Sequence, residues 1–74
     1  MTNVKEIKAM NKALEYAGTL ETIEEAISDD SLTINKGRDG QKYAWYCTEG
    51  SNVAVEVESL NIISDEEEIE NLFC

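Results

Sequence analysis

The chain has no histidine and no proline, only two cysteines, and six Lys+Arg residues against 16 Asp+Glu. Without histidine, the commonest general base and metal ligand is missing. The cysteines, Cys47 and Cys74, are too few for a zinc site within one chain and allow at most one bridge. No basic-then-apolar leader opens the chain, so the expectation is a cytoplasmic protein with reduced thiols. The shortage of bases leaves a formal charge of −10, which excludes the basic face needed to grip nucleic-acid phosphates directly. No apolar run approaches the roughly 20 residues of a membrane span, and the acidity disfavours anionic lipid surfaces. With no linker, repeat or low-complexity stretch, the 74 residues are read as a single domain, 1–74.

What is present describes a folded protein, since apolar residues make up 42% of the chain. Asn3 and Glu6 have the form of a capping box, and Val4, Ile7, Met10, Leu14 and Ala17 follow at helical spacing. Gly18 is placed to end that helix in a left-handed cap. Thr19 is the expected N-cap of a second helix that buries Leu20, Ile23 and Ile27 and ends at Ser28-Asp29-Asp30-Ser31. The rhythm then changes to two. Leu32 and Ile34, then Tyr43, Trp45 and Cys47, then Val53, Val55 and Val57 each alternate with other residues, and turn chemistry separates them. A parity shift toward Leu60 and Ile62 implies a bulge or bend near Ser59. Ser64 and Glu67 form a second apparent capping box, opening a helix with Ile69, Leu72 and Phe73 inward. The expected fold is α+β: a three-stranded antiparallel meander with helices packed on one face, in the order ααβββα.

Loop lengths set the expected register. A three-residue loop at 49–51 and a four-residue loop at 37–40 put Cys47 opposite Val53, Trp45 opposite Val55 and Leu32 opposite Trp45. Every large apolar residue then shares one face, Lys42 falls opposite Glu58, and Tyr46 points outward. A two-residue loop at Glu49-Gly50 would instead divide Trp45 and the valines between two faces, which makes sense only if helices cover both.

Charge is distributed unevenly. Glu21, Glu24, Glu25, Asp29 and Asp30 crowd the second helix, and residues 49–74 hold eight acids and no base. Acids three or four apart on a helix lie about 5–6 Å from each other, comparable with successive phosphates. Glu56, Glu58, Asp65, Glu66, Glu67, Glu68 and Glu70 are therefore candidate partner-binding residues, with Tyr46 as an aromatic anchor and the 21–30 acids as a second patch. A helix-turn-helix reading fails because the second helix carries acids where phosphates would approach. Asp65-Glu66-Glu67-Glu68 lacks the ligand spacing of a calcium loop. No nucleophile, general base or carboxylate-lined cleft is apparent, so no catalytic residue, metal or cofactor is assigned.

In size, acidity and lack of catalytic equipment the chain resembles small inhibitors encoded by phages and mobile elements that imitate nucleic acid, some anti-CRISPR and anti-restriction proteins among them. The likeness is one of composition and assigns no residue a role. It implies a non-enzymatic protein that occupies the basic nucleic-acid-binding surface of a partner protein. The alternative is a small structural or regulatory interaction module, possible as a homodimer, whose acidity serves solubility.

Overall fold

The structure, a computed structural model, describes residues 3–73. Expectations about Cys74 lie outside that range. Helix α1 (Val4–Ala17) starts where expected: the Asn3 side chain accepts the Glu6 N–H at 2.8 Å. The Glu6 carboxylate lies 3.7 Å from Lys42 Nζ. Gly18 ends the helix at φ 72°, its N–H reaching the carbonyls of Leu14 and Glu15. Helix α2 (Ile23–Ser28) begins later than Thr19. Thr22 and Glu25 exchange side-chain and backbone hydrogen bonds in a complete capping box. Thr19 instead accepts the Glu21 N–H in a local turn. Leu20 consequently stays outside the helix and is 100% exposed, and Ala26 takes the buried position expected of Ile27.

Four antiparallel strands, not three, form the sheet in the order β1-β2-β3-β4: Leu32–Lys36, Lys42–Cys47, Asn52–Glu56 and Ile62–Ile63. The extra strand exists because the bend near Ser59 closes into a reversal. Leu60 takes φ 64° and donates to the Glu56 carbonyl. Glu56 donates to Asn61, and Ile62 and Ile63 pair with Val55 and Ala54.

Both hairpin registers differ by one residue from expectation. Thr48 and Ser51 exchange backbone hydrogen bonds around a two-residue turn, Glu49-Gly50. Trp45 therefore faces Ala54, and Tyr46 faces Val53. Gly37 and Gln41 close a three-residue loop with Gly40 at φ 87°, which sets Leu32 against Tyr46 and Ile34 against Ala44. A shift of one residue exchanges faces, and the reason it is tolerated is coverage on both sides. Leu32, Ala44, Tyr46, Val53, Val55 and Val57 pack with Ala9, Met10, Ala13 and Leu14 of α1 and Ala26 of α2. Tyr43 and Ala54, of the opposite parity, pack with Ile69 of helix α3 (Glu66–Phe73), joined by Trp45, Ile63, Leu72 and Phe73. Helices thus lie on both faces of the sheet rather than on one.

Helix α3 is opened by Asp65, one residue beyond the expected Ser64. The Asp65 carboxylate accepts the Glu67 N–H at 2.8 Å, and Ser64 Oγ accepts from Tyr16 Oη at 3.1 Å. At its other end the Leu72 carbonyl accepts the Arg38 N–H, tying the helix to the first hairpin loop. Gly37 sits in that junction. A Cβ there would lie 2.9 Å from Tyr43 Cε1 and 3.1 Å from Leu72 Cδ2. The Tyr43 ring is buried and set edge-on against Phe73, so it cannot easily yield. Gly37→Ala is expected to cost about 1–3 kcal/mol, read as a lower midpoint in thermal unfolding.

Candidate functional site

The acidic helix owes its presentation to a few apolar anchors. Ile69 is 1% exposed and sits among Tyr43, Ala54 and Ile63. Phe73 stacks on Trp45 with ring centroids 4.5 Å apart and planes inclined by 12°. The Trp45 indole N–H is held by Asn52 Oδ1 at 2.7 Å. These contacts fix the rotation of α3, which leaves Asp65, Glu66, Glu67, Glu68 and Glu70 all exposed. Glu66 and Glu70 are one helical turn apart, and Glu67 neighbours Glu70 at three-residue spacing. Glu56, half-buried, lies on the same side of the sheet, across from Tyr43.

The other candidate acids do not join this group. Glu58 lies beyond β3, where its carboxylate is 2.7 Å from Lys5 Nζ of α1. Lys42, expected beside Glu58, instead faces Lys36 across the β1–β2 ladder. Glu21, Glu24, Glu25, Asp29 and Asp30 belong to the α1–α2 layer, on the far face of the sheet from α3. The two acidic segments therefore make two patches.

The second patch has its own electrostatics. A cleft of about 600 Å³ beside α1 and the 19–24 segment is lined by Glu15, Glu21 and Glu24 with Leu14 and Ile23. A hydrogen bond with Asp29 raises the Glu21 carboxyl above its ordinary 4.5, while the Tyr46 hydroxyl, donating at 2.9 Å, works against that rise. Two neighbouring carboxyls share a site best when one keeps its proton, which is the sense of this rise.

Tyr46 is not an outward anchor. It is 3% exposed and part of the main core, because the one-residue register shift turned it inward. The same shift turned Cys47 outward, where it is exposed rather than packed beside Val53. The aromatic pair next to the acidic helix is instead Trp45 and Phe73, both half-buried. Sequence reasoning placed each of these residues inward; their stacking depends on α3 crossing the second face of the sheet.

Among the described residues no helix is long and apolar enough to cross a membrane. Also among them, no group of three or more Cys, Asp or Glu side chains is arranged to hold a metal ion. No protein-family model matches the chain, and neither the curated proteins nor the solved structures contain a match.

Proposed function

We propose that this is a non-enzymatic acidic binding protein whose α3 layer occupies the basic nucleic-acid-binding surface of a partner protein. One observation supports the reading above others: four exposed carboxylates, with that of Asp65 at the helix start, stand on a helix fixed by Ile69 and the Trp45–Phe73 stack. No basic residue follows Lys42 in the chain. A rigid array of this kind needs no ordering when a cationic groove closes on it, and its field speeds encounter. The Glu21–Asp30 patch, on the far layer, is a separate surface in this reading and does not extend the first.

The test is capture from a bacterial lysate on immobilised protein, washed at graded salt. Nucleic-acid-binding proteins should be retained at low salt and released by added duplex DNA or RNA. Changing Glu66, Glu67, Glu68 and Glu70 together to Gln should lower retention about tenfold or more, with far-UV circular dichroism confirming an intact fold. Equal retention by that variant, or partners that ignore both salt and nucleic acid, would refute the reading.

A further inference from the structure

We infer that the groove between the β1–β2 loop and the last turns of α3 is a socket for an arginine side chain carried by a basic partner protein. That this arginine belongs to a nucleic-acid-binding surface rests on the function proposed above; the chemistry of the groove does not. The groove has a volume of about 290 Å³ and is lined by Asp39, Tyr43, Ile63, Glu68, Asn71 and Leu72. Asp39 comes from the loop. Glu68, Asn71 and Leu72 come from α3, where spacings of three and four residues set them on one side of the helix. Asp39, Glu68 and Asn71 are exposed, Ile63 and Leu72 are half-buried, and Tyr43 is buried, so polar groups stand over an apolar floor.

The two walls are tied together before anything binds. The Arg38 N–H donates to the Leu72 carbonyl at 2.9 Å, which joins the loop to the end of the helix. Asp39 is oriented twice over: its Oδ2 accepts from the Tyr43 hydroxyl and its Oδ1 from the Gln41 N–H. A carboxylate can accept about four hydrogen bonds, so these two fix the group and leave capacity for a further donor. The same bonds hold the Asp39 carboxyl below its ordinary range, and it stays charged into mild acid.

Charge complementarity selects a cation as the occupant. Asp39 and Glu68 line the groove, and no basic residue lines it among the described residues, Arg38 included. Lys36 and Lys42, which face each other across the ladder, share the parity of Ile34 and Ala44 and so lie on the α1 face of the sheet. Glu56 stands across from Tyr43 and adds a third negative charge nearby. The last turn of α3 carries no basic side chain, so its own helix offers the negative end of the dipole no cation. Shape then selects arginine. Ile63, Leu72 and the Tyr43 ring suit the methylenes of a long side chain, and a planar five-donor head can bond Asp39, Glu68 and the Asn71 carbonyl at once. A lysine ammonium is a compact, strongly hydrated point charge that gains less from such a site.

The probe is N-acetyl-L-arginine amide, added to the isotope-labelled full chain and followed by two-dimensional amide NMR at an ionic strength held near about 0.2 M. Saturable shifts are expected at Asp39, Tyr43, Glu68, Asn71 and Leu72, with a midpoint in the millimolar range. Glu68→Gln removes one charge from an exposed position and should raise that midpoint about threefold. Asp39→Asn should raise it by as much; the amide keeps the bond from Gln41 and turns the Tyr43 hydroxyl from donor to acceptor. The double variant should raise it about tenfold. Shifts that never saturate, or that spread equally over the acids of α2, overturn the socket. So does a midpoint that Glu68→Gln leaves unchanged, which decides the case even if Asp39→Asn loses its fold. N-acetyl-L-lysine amide binding as tightly overturns the assignment to arginine. Failure of the probe refutes the socket alone, whereas a lysate that yields no nucleic-acid-binding protein refutes the function.

Discussion

Ile69→Ala is expected to unseat α3 and cost about 2–5 kcal/mol, the range for truncating a large buried aliphatic side chain. Domains of this length have roughly 4–11 kcal/mol of stability in total, so the variant should sit close to its unfolding threshold. The effect is large because the helix has little else to hold it. At eight residues it is shorter than the roughly 12–15 needed for an isolated helix to persist in water. Its first turn also carries Glu66, Glu67 and Glu68; carboxylates suit the helix dipole there but repel each other. Tertiary packing decides the outcome, and Ile69 is its only fully buried contributor among the described residues. Trp45 supplies the readout. Once Phe73 no longer covers the indole, emission should shift to the red and the denaturant midpoint should fall. Unchanged emission with a loss below about 1 kcal/mol would show that α3 is held by something other than this contact. Ile27→Ala, at a half-exposed site, is the matched control and should cost far less.

Tyr43→Phe is expected to flatten both ends of the stability–pH profile while lowering its plateau. The Tyr43 hydroxyl donates to Asp39 Oδ2 at 2.5 Å, and the same carboxylate accepts the Gln41 N–H at 3.0 Å. The tyrosine bond, and then the backbone bond, hold the Asp39 carboxyl below its ordinary 3.8. A depressed carboxyl stabilises the fold above its unfolded value, and that contribution is lost as the pH falls through the lower folded value. Tyr43 moves the other way. Burial foremost, and then the bond to Asp39, raise its hydroxyl far above the ordinary 10.0. Its contribution is fully present below pH 10 and is lost as the pH rises toward the raised folded value. The wild type should therefore unfold more readily at both extremes. Phenylalanine cannot ionise, so the alkaline limb should shrink most; the acid limb should become shallower as Asp39 returns toward its usual range. Thermal midpoints measured from about pH 3 to about pH 11 would test this. An alkaline limb of the same depth in both proteins would contradict it.

The bounds of the first helix were legible because its signals are local, although Val4 and Ile7 of the expected stripe are exposed and Ala9 and Ala13 are buried beside Met10 and Leu14. Asn3, Gly18 and the apolar stripe between them act within a turn or two of themselves. The second helix carried an equally local signal, Thr22 with Glu25, but Thr19 stood close enough to compete. Only the hydrogen bonds show which threonine caps. The two-residue β4 was too short to have a rhythm, and it becomes a strand only because Leu60 reverses the chain onto β3. Of the candidate site, the exposed acids of α3 follow from their amphipathic spacing to Ile69, Leu72 and Phe73. The fate of Glu58 beside Lys5 depends on residues 53 positions apart, a separation that no local pattern carries.

By itself the sequence determined the α+β character, the order of the helices and the first three strands, and the concentration of acid after Lys42. Local propensity, turn chemistry and composition suffice for each. The register was different, because β2 is apolar in both parities: Tyr43 and Trp45 project one way, Ala44 and Tyr46 the other. Either parity can face a core, and the short-range pattern does not choose between them. The choice came from α1 and α3, distant in sequence, which cover opposite faces and make two buried surfaces more favourable than one. That decision turned Tyr46 inward and Cys47 outward, and it divided the carboxylates between two layers.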